Sequence, residues 1–328
     1  MSNPISPTTQ VDYSFIPSLT ASPDDSNLSQ NTDTKKNTSA TSSSSAIFLL
    51  GEDYQDIEAF RAALFEQVPS VHFNKPLKPL VFLTQKTKEQ FESFAKEMLK
   101  ELQDKLVEAS SQEDQSSNPA EEAAHRHAQL LAATIVQLQY MEIGDVKLSE
   151  FSKAYILGRG AAGDTEIQIG SNNLSSKQLV DILQLHKISS IGDLRFTASQ
   201  GVDTSVLASF SQAEVAQAEK MANPQGATSL VHNIATEFSS RSVNSLTIFG
   251  YHGNNAGLTH SVGEVAELNQ HHLRRCGKEG SVQEERRSRL RVGYQLDKIM
   301  QTNFADPKSK SEPETMDDEL DSTKCIIL

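Results

Sequence analysis

Short apolar runs that alternate with amphipathic stretches constrain this chain more than any other feature. Residues 46–50 (AIFLL), 80–84 (LVFLT), 154–157 (AYIL), 193–199 (DLRFTAS) and 245–253 (SLTIFGYHG) each read as a strand. Between them the apolar residues fall at helical spacing. Ile57, Phe60, Ala63 and Leu64 form one such stripe, and Phe91, Phe94, Ala95, Met98, Leu99, Leu102 and Leu106 form the strongest. Further helices are expected over residues 121–141, over "SSKQLVDILQL" with Ser175 or Ser176 as its cap, and over "TSLVHNIATEFSS". Strands this short, linked by helices, specify an α/β fold with a mostly parallel sheet flanked by helices.

Composition defines what lies outside that sheet. Residues 1–45 are dominated by Ser, Thr, Asn, Asp, Gln and Pro, and bury too little apolar surface to offset the entropy of ordering them. They are expected to be a disordered arm. Residues 46–272 then form the α/β domain, 273–303 a basic helical segment, and 304–328 a mobile acidic tail. A net charge of −13 over 328 residues argues against nucleic acid as a partner, because phosphate binding needs a basic surface. No apolar run has the length of a membrane span, no signal peptide is visible, and Ser2 in place of glycine excludes N-myristoylation. Two cysteines, Cys276 and Cys325, make no disulfide framework, so a reducing cytosol is expected.

Gly158, Gly160 and Gly163 stand in G-x-G-x-x-G spacing directly after a strand. A dinucleotide fingerprint needs its third glycine to open a helix, whose N-terminus holds the pyrophosphate. Here Ile167 and Ile169 alternate with Glu166 and Gln168, a short half-exposed strand, and no helix begins before about Ser175. The loop also lacks the Gly-Lys-Ser/Thr of a P-loop. A strand-to-hairpin turn is the expectation, with a nucleotide-binding α/β protein kept as an alternative.

The order strand, GxG turn, short hairpin, helix, strand ending in a small-residue turn, helix, strand closing on "GYHG" resembles the caspase-like fold of clan CD cysteine peptidases. The self-cleaving protease domains of bacterial toxins are the most similar branch. The resemblance covers residues 154–253 and extends back to 46. It implies a histidine base in the first turn and a cysteine nucleophile after the next core strand. The first position is Arg159 here, and the second falls at Ala198 or Ser199. A guanidinium keeps its proton in proteins, and a serine without a base is a poor nucleophile. The resemblance therefore implies a pseudo-active site and a scaffold that does not hydrolyse. Arg159 is still a candidate for two-pronged recognition of a carboxylate or phosphate, with a surface arginine in a salt bridge as the favoured competing reading.

A relocated site is the alternative. His252 ends a strand, and Cys276 sits among arginines that would lower its pKa, so a cysteine peptidase or other hydrolase built on the two is conceivable. The competing reading makes His252 a turn residue and Cys276 a surface thiol. The pairs His125/His127 and His271/His272 lack partners at ligand spacing, so neither metal nor cofactor is expected.

The final residues, Cys325, Ile326, Ile327 and Leu328, form a C-a-a-X box whose leucine selects geranylgeranyl. One lipid chain anchors weakly, and the acidic neighbours Glu312, Glu314, Asp317, Asp318, Glu319 and Asp321 add no affinity for anionic lipid. The candidate second signal is upstream: Arg274, Arg275, Lys278, Arg286, Arg287, Arg289, Arg291 and Lys298, with Val292, Leu296, Ile299 and Met300 on a helical stripe. The acidic run also resembles the C-terminal translocation signals of bacterial type IV secretion effectors. Together these features lead us to expect a prenylated interaction protein on the cytosolic face of host membranes, secreted by a bacterium. Its expected partners are a host geranylgeranyl transferase, the membrane surface and an unidentified protein.

Overall fold

The computed structural model describes residues 44–55, 57–110, 119–219, 228–243, 245–255, 273–277 and 281–297. Its centre is a seven-stranded sheet. In chain order the strands are β1 (Ser44–Leu49), β2 (Leu80–Phe82), β3 (Tyr140–Glu142), β4 (Phe151–Ile156), β7 (Asp193–Phe196), β8 (Thr247–Tyr251) and β12 (Arg291–Gln295). In space they run β12-β8-β7-β4-β1-β2-β3, parallel throughout except for β12, which pairs antiparallel with β8. The α/β architecture with a mostly parallel sheet flanked by helices is thus as the alternation of strands and helices requires.

Alternation along β1 makes the two cores. Ala46, Phe48 and Leu50 point into one, with Leu194, Phe196 and Ile248, where α5 (Ser176–Leu185) and α7 (Leu230–Ser240) pack. Ile47 and Leu49 point into the other, with Leu80 and Phe82, under α1 (Glu58–Phe65), α2 (Val68–His72), α3 (Gln85–Ser110) and α4 (Pro119–Gln137). Phe91 joins this second core through edge-on contacts with Tyr54, Phe60 and Phe82. The start of α5 shows how local sequence sets an element. Ser175 Oγ accepts from Gln178 N, and Gln178 Oε1 accepts from Ser175 N at 3.0 Å, a reciprocal capping box.

Two expectations need correction. The helix expected over 121–141 ends at Gln137, and Tyr140–Glu142 turns into β3, pairing in parallel with β2 as Leu80 N donates to Gln139 O. The basic helical segment expected over 273–303 is strand in its described part: β10 (Leu273–Cys276), β11 (Gln283–Arg286) and β12. Val292, Tyr294 and Leu296 face the core shared by α5 and α7 at a period of two. A spacing of four between Val292 and Leu296 suits a helix and a strand equally, and Tyr294 between them decides for the strand. The α/β domain consequently runs through β12 rather than ending at 272. β10 and β11 join β9 (Asn254–Asn255) in a small antiparallel sheet, while β5 (Glu166–Ile169) and β6 (Asn172–Ser175) form a hairpin. The remaining helix is α6 (Gln212–Ala218).

Candidate functional site

The parallel strands deliver the candidate residues to one edge of the sheet. β4 and β7 pair with Ile156 opposite Phe196, so Arg159 and Ser199 each stand three residues beyond that level. The two turns touch: a Cβ added at Gly160 would lie 3.5 Å from the Ala198 methyl and 3.7 Å from Ser199 O. His252 follows β8 at the same end.

The glycine loop has structural work of its own. Gly158 lets the hairpin close, since a Cβ there would come 2.5 Å from Ile167 Cδ1, and Gly163 adopts a left-handed φ of +78°. The loop amides are already spoken for. Arg159 N donates to Gln168 O at 2.8 Å, Ala161 N to Asp164 Oδ2 at 2.6 Å, Ala162 N to Gln200 Oε1 at 3.0 Å, and Gly163 N to Asp203 O at 2.8 Å. Strand β5 follows, and the next helix, α5, is capped a dozen residues later by Ser175. Four amides of this loop are thus engaged within the fold, and no helix opens at its third glycine to lend a dipole.

His252 is a buried structural bridge. The residue is 1 % exposed, with Nδ1 bonded to Asp203 Oδ1 and Nε2 to Glu219 Oε1 at 2.8 Å. The second oxygen of Asp203 accepts from Gly253 N at 2.9 Å, so one carboxylate holds both the ring and the turn that carries it. Burial by itself would lower the imidazole pKa, but the hydrogen bonds and charges of Asp203 and Glu219 outweigh it and hold the ring at about 9. A doubly bonded imidazolium has no free nitrogen with which to accept a proton from a thiol.

Cys276 is not its partner. Its side chain is buried with Leu207, Ala218 and the partly buried Phe210, and burial with the nearby Asp203 and Glu214 carboxylates raises the thiol to about 11. The arginines flanking it in sequence point elsewhere. Arg275 pairs with Glu284 at 2.6 Å. Arg274 is fully buried, donating to Thr197 O at 3.0 Å and to Ala198 O and Gly253 O at 3.3 Å, with its Cζ 5.0 Å over the Tyr251 ring. It ties β10 to the turns after β7 and β8. Arg287, bonded to Glu66, lies on Tyr251 at 5.3 Å. Arg274, Asp203, Glu219 and Glu66 were invisible as partners in the sequence, because nothing local marks pairs that span 21 to 221 residues. These basic side chains are therefore largely occupied inside the domain, and the cationic helix expected to lie on a membrane is absent from the described residues.

A cavity of about 270 Å³ opens beside Arg159, walled by Leu49 and Leu157 at the ends of β1 and β4, by Glu58 and Ala62 of α1, and by Asn255. Connections leave β1 toward β2 and β3 on one side, and β4 toward β7 and β8 on the other. This is the switch point of the sheet, where α/β proteins bind ligands. The Arg159 guanidinium meets Glu58 at 3.9 Å across its mouth, both side chains well exposed. Ser199 Oγ accepts from Asn255 N at 3.1 Å.

Comparison with protein-family models, curated proteins and solved structures gives no match. Among the described residues no cluster of His, Cys, Asp or Glu has the arrangement of a metal site, and His125 Nε2 is engaged by Gln129 at 2.9 Å. No helix among them is long and apolar enough to cross a membrane. His271, His272, Lys278, Lys298, the arm, the acidic tail and the box Cys325, Ile326, Ile327 and Leu328 lie outside the described residues, apart from the last residues of the arm, Ser44 and Ser45, which belong to β1.

Proposed function

We propose that this chain is a non-hydrolytic interaction protein of caspase-like architecture, tethered to the cytosolic face of a membrane by a geranylgeranyl group on Cys325 and delivered to that cytosol by a bacterium. The observation that carries the reading is the alignment of two adjacent turns. Arg159 and Ser199 stand at equal height past β4 and β7, as the resemblance requires of a base and a nucleophile. Neither residue can play its part. The guanidinium keeps its proton, and the hydroxyl of Ser199 is bonded to a backbone amide rather than to a base. The hydrogen bonds of His252 and the burial of Cys276 weigh against the relocated hydrolase, and the occupied amides of the glycine loop weigh against a nucleotide.

What remains is recognition. The cleft at the switch point is bordered by the Arg159 guanidinium in an exposed ion pair with Glu58, a group whose flat fork suits a carboxylate or phosphate on a protein partner. Because the basic residues of 273–297 are mostly engaged within the fold, the lipid acts without a strong second signal, and the attachment is reversible until a membrane-bound partner joins it. The acidic residues near Cys325 support the effector reading by their resemblance to translocation signals.

Fractionation of the tagged full chain in animal cells tests the tether. Membrane association should disappear with Cys325→Ser and with inhibition of geranylgeranyl transferase, and mass spectrometry should find the lipid on Cys325. Equal solubility of wild type and Cys325→Ser would remove the tether from the proposal.

A further inference from the structure

Lys78 belongs to the short connection from α2 to β2, and its backbone is fixed there. The fully buried Gln67 clamps it: Oε1 accepts from Lys78 N at 3.1 Å, and Nε2 donates to Lys78 O. Pro76 and Pro79 restrict φ on either side, and Ile47 N donates to Pro79 O at 3.0 Å as the chain enters β2. The side chain is half-buried and reaches β4, where Nζ lies 5.1 Å from the centre of the Tyr155 ring. Among the described residues that ring is its one contact, and Nζ makes neither a hydrogen bond nor an ion pair.

The carboxylates around Lys78 already hold other cations. Arg195, 5.6 Å from the same ring, is bonded to Asp193 at 2.7 Å and to the Tyr155 hydroxyl at 3.4 Å. Arg287 is bonded to the buried Glu66. Lys78 is therefore the third cation of a group with two anions, each bound to a guanidinium. Burial, with Arg287 and Arg195 close by, lowers the Lys78 pKa against the pull of Glu66. Of the three cations the lysine is the one able to give up its proton, since guanidinium groups keep theirs. An amine desolvated next to other cations is how proteins make lysine a nucleophile. The surroundings also select the electrophile. An aldehyde would leave an imine that takes up a proton and restores the third charge, whereas acyl transfer leaves an uncharged amide.

We propose that Lys78 is an acyl-acceptor site that takes a short acyl group from a thioester. The Nζ lone pair adds to the thioester carbonyl carbon and the C–S bond breaks. The leaving thiolate takes up the proton that the nitrogen sheds. The products are an amide at Lys78 and a free thiol. The reaction removes one positive charge from beside the Glu66–Arg287 pair, and the half-buried position limits the acyl group to a small one. This inference depends neither on the lipid at Cys325 nor on the cleft beside Arg159.

The test incubates the full chain with S-acetyl-N-acetylcysteamine, a small neutral thioester, between pH 6 and pH 10. Mass spectrometry of its peptides follows acetylation at each lysine. Lys75 is the internal reference: it is exposed and lies 5.9 Å from the Phe73 ring, so it shares the ring contact but not the cluster with Arg195 and Arg287. At pH 7.5 the initial rate at Lys78 should exceed that at Lys75 several-fold, and it should bend toward a plateau at lower pH. Arg195→Gln should move that bend upward, whereas Arg195→Lys, which keeps the charge, should restore it. A merely structural role for Arg195 would leave the bend where it is in both variants and overturn the cation effect. The wild-type profile decides by itself, so the outcome stands even where Arg195→Gln fails to fold. Coincident profiles at Lys78 and Lys75 overturn the proposal. So does a Lys78 that stays unmodified at pH 7.5 while Lys75 reacts, because that amine is closed to the reagent.

Discussion

At the scale of single residues, His252 couples this fold to pH. Its ring is buried between two carboxylates and titrates near 9, above the value of ~6.5 for an unfolded histidine. The folded state therefore binds the proton more tightly than the unfolded one. The resulting stabilisation is fully present below about pH 6.5 and is lost as the pH rises through about 9. A shift of this size corresponds to roughly 2–4 kcal/mol. The urea midpoint of the wild type should fall between pH 7 and pH 10, whereas His252→Gln should start lower and show a much flatter profile over that window. A wild-type midpoint that is constant across the window would remove the imidazolium from the account. Arg274 makes the complementary case: a cation without a carboxylate among its hydrogen bonds, held instead by three carbonyls at the strand ends. Burial and the neighbouring Arg287 bring it down to about 10, and an arginine is one of few side chains that would remain charged there.

At the scale of elements, the capping box of α5 shows how far local sequence can be trusted. Ser175→Ala removes the acceptor for Gln178 N and should cost about 1 kcal/mol, read as a lower thermal midpoint with unchanged spectra. That helix, both long apolar stripes and all five strands expected from the sequence were legible because each carries its own period. β3 was not, since three residues give no period to read and Tyr140–Glu142 follow a helix without a glycine break. β12 was misread because its charged residues suggested a solvent-facing helix, while the strand draws its stability from pairing with β8. Of the candidate site, Arg159 and Ser199 stand past the ends of adjacent strands, and Ala198 is fully buried. The roles of His252 and Cys276 depend on Asp203, Glu219, Leu207 and Ala218, which arrive from other elements. Such convergence is a product of the fold and has no signature at either end of the chain.

At the scale of the whole molecule, the sheet gains one of its two edge strands, β12, at the end of the described chain. Glu66 at the end of α1 is buried against Arg287, 221 residues away, and β12 covers the outer edge of β8. A chain cut after residue 286 would keep α1 to α7 and six of the seven strands of the central sheet, yet its buried Glu66 would lose Arg287 and β8 would lose its β12 neighbour. Breaking a buried pair in this way costs about 3–5 kcal/mol. We expect the truncated chain to aggregate, and Glu66→Gln in the same truncation to recover part of the soluble yield. Equal yields from full-length and truncated chains would show that β12 is dispensable.

The pairing of Glu66 with Arg287 also sets an order of events during synthesis. A ribosome adding roughly 5–20 residues per second needs at least ~11 s to travel from the first member of the pair to the second. Throughout that interval the β8 edge is unpaired by β12 and Glu66 lacks the Arg287 contact it has in the finished fold. A fragment released before residue 287 therefore lacks both the β12 pairing and the Arg287 contact that the full chain makes.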